Sequence, residues 1–361
     1  MAQSSSLTML VSAIVTIVLR ERPLSAASEA CSRDAQFGGI VAKKHGMQRI
    51  TTIGVAAVVL VGVITVFAAE AGAHGASRPT ATGNGPYYLS LGDSLSVGFQ
   101  PSRHHPSGAD TTKGYVDDLF KAYGSEIPGL QEEKLGCPGE TSVSMATGTG
   151  SPCLAAYEAA GFSSQLAEAE SFIETHDVAF ITMDIGANDV DGCASDVGNE
   201  PAVDSCVASG ISTINSNLPT ILSGLESADT QGAAIYGMNY YDPFLALYLE
   251  APYTGPSGFA EQSVTLAQDL NNALASDYGA ASTPVQVANV ASTFNTFATT
   301  VPSTYTPKAP ANFGSLSDPL NVQAICTYTW ECTTYENIHA NKAGYQAIAT
   351  SFEATIGYLG G

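Results

Sequence analysis

Five short strand-like runs, each followed by a longer amphipathic stretch, constrain this chain more than any other feature. The runs are Tyr87–Leu91, Glu132–Leu135, Val178–Ile185, Ala233–Tyr240 and Val285–Val290. Between them lie YVDDLFKAYG, FSSQLAEAESFIE, GISTINSNLPTILSGLES and SVTLAQDLNNALASDYG, and the chain closes with NKAGYQAIATSFEATIGYL. Runs of about four to eight residues are strand length, whereas apolar residues three and four apart share one face of a helix. Strands alternating with helices imply crossover connections, and crossovers build a parallel sheet covered on both faces. The sequence therefore predicts an α/β fold. Two irregular stretches, Asp242–Gly258 and Ser292–Glu331, follow strands, where such sheets build their clefts.

Size and charge narrow the function. The chain has 361 residues, 45% of them hydrophobic, which is enough for a sizeable core. Its net charge of −21 repels nucleic acid phosphates and anionic membranes, so no nucleic acid partner is expected. The region before the first strand reads in three pieces. Residues 47–73 begin with Met47 and Arg49, run apolar from Ile53 to Ala69 and end in Ala71-Gly72-Ala73, the order of a secretory signal peptide. Cleavage would make the protein secreted, with no stable membrane insertion; an uncleaved segment would be a membrane anchor. Residues 1–46 are read as a non-native extension ahead of a true start at Met47, and 74–86 as a polar linker. The working domain is 87–361, expected to be a monomer.

Six of the seven cysteines fall into close neighbours: Cys137 with Cys153, Cys193 with Cys206, Cys326 with Cys332. An even count in an exported chain predicts disulfides, paired locally. Zinc is the rival reading, but no C-x-x-C pair and no nearby histidine supports it.

Ligands of an open parallel sheet sit beyond the carboxyl ends of its strands. The first run delivers Ser94 in GDSLSVG, the second delivers Gly139 in LGCPGETS, and the third delivers Asn188 and Asp189 in GANDVDG. A serine hydroxyl needs a base to become a nucleophile. His45 and His74 lie in or beside the leader, His104 and His105 in a loop, and His176 at the wrong end of the third strand. His339 remains, just before the last helix, with Glu336 three residues earlier. At one helical turn's spacing, Glu336 could bond the Nδ1–H of His339 and leave Nε2 for Ser94. The backbone N–H groups of Ser94 and Gly139 and the side-chain amide of Asn188 are the candidate oxyanion donors. Asp93 and Asp189 read as braces for their loops. A calcium loop at 189–200 is disfavoured, because Cys193 and Ala194 fill positions that such a loop gives to a ligand and a glycine. An unperturbed imidazole would make activity rise near pH ~6.5.

GDSLSVG, GCPGETS, GANDVDG and ENIHANKAGY together resemble, in order, the four motif blocks of the SGNH hydrolases, the GDSL esterases and lipases. The resemblance spans roughly residues 86–360 and is similar in style to secreted actinobacterial members. It implies a three-layer α/β/α sandwich with a flavodoxin-like parallel sheet of strand order 2-1-3-4-5. It also implies Ser94 as nucleophile, Gly139 and Asn188 in the oxyanion hole, and His339 as base. No metal or organic cofactor is called for. Glu336 stands where the family usually has Asp, some relatives use a backbone carbonyl instead, and Ala340 replaces a proline that often follows the histidine. The expected function is a secreted serine esterase or lipase acting on a small-molecule or lipid ester. YYDPFLALYLEAPY is a candidate acyl groove, with ordinary packing as the alternative. The rival functions are a polysaccharide O-acetyl esterase and a non-catalytic surface- or carbohydrate-binding protein on the same scaffold.

Overall fold

The computed structural model describes residues 85–249, 256–301 and 318–360. The stretches read from the sequence as an extension and a signal segment, and nearly all of the stretch read as a linker, lie outside the described residues.

All five predicted strands form. They are β1 (Tyr87–Gly92), β2 (Gln131–Lys134), β3 (Val178–Asp184), β4 (Ala234–Met238) and β5 (Gln286–Ala288). They make one parallel sheet in the order β2-β1-β3-β4-β5. The central pair is the most apolar. Leu89, Leu91, Phe180, Ile181 and Met183 are wholly buried, as parallel strands covered on both faces require. Burying each such side chain contributes about 1.5–3 kcal/mol. β2 reads QEEK, a charged strand that fits only an edge.

The helices are α1 (Tyr115–Tyr123), α2 (Ser142–Thr147), α3 (Leu154–Ala160), α4 (Gln165–Thr175), α5 (Glu200–Ala228), α6 (Pro256–Ala280), α7 (Val290–Thr293), α8 (Leu320–Tyr328) and α9 (Lys342–Ile356). One layer joins α1 to α9, with Tyr115 stacked on Phe352; α4, α5 and α6 pack side by side in the other. In α1, Tyr115, Val116, Leu119 and Tyr123 form the buried face, and Asp117 accepts the N–H of Gly114 at the helix entrance. Ser164 starts α4 by accepting from the Ala167 N–H, and Asn341 starts α9 by accepting from Ala343 and Gly344.

Three local readings change. α5 begins at Glu200 and continues through Pro219, so it is longer than its apolar pattern suggested. The stretch Ser292–Glu331 is not irregular throughout, because α8 lies within it; residues 302–317 lie outside the described residues. Within Asp242–Gly258, Pro243–Leu249 is a 3-10 helix whose Leu245 and Leu247 face inward. A feature the alternation did not reveal is a small antiparallel pair, β6 (Thr329–Trp330) and β7 (Asn337–Ala340). The three disulfides are those predicted, Cys137–Cys153, Cys193–Cys206 and Cys326–Cys332.

Candidate active site

β1 ends in Gly92, whose φ of 136° lies where side chains strain the backbone; a Cβ there would also collide with the Asp184 carbonyl. Gln165 clamps this residue, accepting its N–H at 2.7 Å and donating to its carbonyl at 3.0 Å. The chain then turns sharply. Asp93 Oδ1 accepts the Leu95 N–H at 2.9 Å, and Ser96 Oγ donates to the Asp93 carbonyl at 2.7 Å. This turn holds Ser94 at the carboxyl end of β1, largely buried.

Beneath the turn lies a pair of acids. Asp184, the last residue of β3, accepts the Tyr115 hydroxyl at 2.6 Å and the Asp93 N–H at 3.3 Å. Asp93 Oδ2 accepts the Tyr240 hydroxyl at 3.2 Å. Burial raises both carboxyls; the charge of Asp93 raises Asp184 further, well above the usual carboxylate range. Burial and the neighbouring charge together favour the neutral form of Asp184 over that of a free carboxyl. The signal for Asp184 was present in the sequence as the single acid within VAFITMDI.

His339 comes from β7. Its Nε2 lies 2.8 Å from Ser94 Oγ, a contact between residues 245 apart in the chain. Its ring lies against Phe99, centroids 4.7 Å apart. Tyr241 holds the strand by donating to the Ile338 carbonyl at 2.9 Å, and Tyr345 holds the Phe99 carbonyl at 2.7 Å. Burial lowers the imidazole pKa to about 4. The ring is thus neutral well below the ~6.5 of a free histidine.

Glu336 does not meet the ring. Nδ1 instead lies 2.8 Å from Asn337 Oδ1. The expected spacing of one helical turn fails because residues 337–340 are extended. Along a strand, residues two apart share a face and residues three apart do not. Glu336 precedes the strand at a φ of 45°, and its N–H donates to the Thr333 carbonyl. Asn337 was missed because the sequence was read with the wrong period.

The second strand leads into the loop carrying Gly139, whose φ is 83° and whose added Cβ would press on Pro152. The Cys137 N–H donates to the Gly92 carbonyl at 3.0 Å, tying this loop to the nucleophile turn. Asn188 lies in a 3-10 turn, Ala187–Asp189, and its Nδ2 donates to the Glu140 carbonyl at 3.0 Å. Asp189 accepts both the N–H and the hydroxyl of Ser142, at 2.8 and 2.6 Å. Ser94, Gly139 and Asn188 therefore come from three loops that bond to one another. Among the described residues, no hydrogen bond within the chain engages the N–H of Ser94 or of Gly139. Glu140, also missed, is wholly buried; burial pushes its carboxyl up to about 6, and Ser151 Oγ donates to it at 2.8 Å.

Other sequence candidates stand apart. His104 and His105 are exposed, and His176 stacks on Phe172 before β3 begins. Of the supposed acyl groove, Tyr240, Tyr241, Leu245 and Leu247 are buried in packing, and residues 250–253 lie outside the described residues. Cys193, at the rejected calcium loop, is bonded to Cys206.

Comparison with known proteins agrees with the motif order. The GDSL-like lipase/acylhydrolase family matches the chain over residues 88–352. No curated protein matches it. Solved structures similar to it include the lipase Lip_vut3 from a goat rumen metagenome, 14% identical with a TM-score of 0.46, covering 76% of this chain and 98% of that one. An extracellular lipase from Streptomyces rimosus is 16% identical with a TM-score of 0.45, covering 75% and 99%. Phospholipase A1 from Streptomyces albidoflavus is 14% identical with a TM-score of 0.46, also covering 75% and 99%. With four motif blocks in order, strands 2-1-3-4-5 and a family match across most of the chain, this protein belongs to the GDSL-like lipases and acylhydrolases and is a hydrolase of carboxylic esters.

Proposed function

We propose that the protein is a secreted serine esterase that works through an acyl-enzyme on Ser94. The observation that carries this reading is the 2.8 Å contact between Ser94 Oγ and His339 Nε2, beside the backbone N–H groups of Ser94 and Gly139, which no hydrogen bond engages among the described residues. Ser94 Oγ attacks the acyl carbon while its proton passes to Nε2. The oxyanion is stabilised by the N–H groups of Ser94 and Gly139 and by the Asn188 amide. His339 returns the proton to the departing alcohol, leaving the acyl group on Ser94. Water then attacks, again giving its proton to His339, and the carboxylic acid leaves as Ser94 recovers its hydroxyl.

Three disulfides support export, since such bonds persist in oxidising compartments. Among the described residues no helix is long and apolar enough to cross a membrane. The substrate class is an acyl ester of a small molecule or lipid.

A series of p-nitrophenyl esters from acetate to palmitate, run beside an acetylated polysaccharide, tests the reading. Hydrolysis of the acyl series is expected, with Ser94→Ala lowering kcat by at least ~10³-fold. Unchanged turnover in Ser94→Ala would remove the nucleophile. Preference for the acetylated polysaccharide would replace this reading with an O-acetyl esterase.

A further inference from the structure

The family's pattern leads one to expect a carboxylate behind the histidine. The geometry points to Asn337 instead: we propose that its neutral amide oxygen is the positioning group that holds His339 in the tautomer facing Ser94. This rests on the serine esterase reading for its purpose, but not for its geometry.

The argument begins with hydrogen-bond polarity. Asn337 Oδ1 is 3.1 Å from the backbone nitrogen of His339 and 2.8 Å from its Nδ1. A backbone N–H can only donate, so the Asn337 atom facing it must be the oxygen. That oxygen can only accept, so Nδ1 must carry the proton. Nε2 is then left with its lone pair, directed at Ser94 Oγ.

A bare amide is normally a poor substitute for an acid at this position. In the Ser-His-Asp case, exchanging the acid for an amide costs about 10⁴-fold because the amide turns its NH₂ to the ring and imposes the wrong tautomer. Here that flip would point the NH₂ at the histidine's own N–H, donor against donor. The strand makes this possible, because residues two apart share a face and the first can reach both the ring and the amide of the third. Asn337 and His339 are both buried, so water does not compete for these bonds.

The consequence is electrostatic. A carboxylate would attract the imidazolium and raise its pKa, whereas an amide orients the ring without that attraction. The other ionisable groups around the site do not substitute for it. Asp93, Asp184, Tyr240 and Tyr345 lie on the sheet and helix sides, Glu140 and Asp189 on the oxyanion side, and Glu336 before the strand. None bonds to either ring nitrogen.

Two readouts test this. In protein labelled with ¹⁵N-histidine at pH 7, the His339 signal, assigned by its loss in His339→Gln, is expected to show a protonated Nδ1 and an unprotonated Nε2. Asn337→Ala is expected to lose that fixed tautomer and to lower kcat roughly 10²-fold with KM little changed. Asn337→Asp, nearly the same shape and so the safer variant to fold, is expected to keep the tautomer but to move the acid limb of kcat upward by about one pH unit or more. Overturning results would be an unmoved limb in Asn337→Asp, or a Glu336→Gln variant that lowers the limb of the parent protein. The spectrum needs no turnover. If the parent cleaves no ester but shows the Nδ1–H tautomer lost in Asn337→Ala, the esterase reading falls and the positioning role stands.

Discussion

The buried imidazole of His339 governs how the protein should respond to pH. A base must be neutral to accept a proton, and burial lowers this ring's pKa to about 4. Neutral rings therefore dominate from about pH 5 upward. We expect kcat/KM for a neutral ester to be level between pH 5 and 8 and to fall only below that window. This revises the rise near ~6.5 expected of an exposed histidine. A stopped or pH-stat assay across pH 3.5–8 reads it directly, and a midpoint near 6.5 would mean that water reaches the ring. Gly139 makes a second test at this scale. Its φ of 83° and the nearby Pro152 leave no strain-free place for a side chain. Gly139→Ala should lower kcat at least tenfold, the order set by an oxyanion donor moved out of place, with a smaller change in KM. Ser94 and His339 were legible as candidates because one directly follows the first strand run and the other was left once the remaining histidines were eliminated by position. Asn337 was not, because an amide announces no chemistry until its neighbours are known.

At the scale of elements, the site depends on loops that the sheet presents and the disulfides restrain. Cys137–Cys153 spans 16 positions and encloses Gly139, Glu140 and the whole of α2. Closing such a loop removes freedom from the unfolded chain, worth about 3 kcal/mol. Replacing both cysteines by serine should lower unfolding stability in urea by about that amount. It should also lower kcat, because the loop that carries Gly139 loses one of its ties. A variant with full stability and full kcat would show that hydrogen bonds alone hold the loop. The strands were legible from composition and spacing, since each is a short run flanked by turn residues. β7 was not. It is four residues long, pairs with only two, and takes its extended form from tertiary partners such as Tyr241 rather than from its own propensity.

The whole molecule carries a net charge of −21, and that field reaches substrates before any side chain touches them. An anionic ester approaches against repulsion that salt screens, whereas a neutral ester of similar size does not. Raising ionic strength from 0.01 to 0.15 M shortens the screening length from about 30 to about 8 Å. KM for the anionic ester should fall over that range while KM for the neutral one stays put. Equal responses would mean that the cleft is locally shielded from the surface charge.

By itself the sequence determined the parallel sheet, the cysteine pairing and the four chemical motifs in their order. Each of these is written in residues close together in the chain, through alternation, spacing or residue type. The tertiary structure decided what lies behind the histidine, which two acids are buried together beneath the serine, and where the aromatic stretch after β4 points. These depend on which distant atoms meet at about 3 Å and on how much water burial excludes, and neither is encoded in any local period.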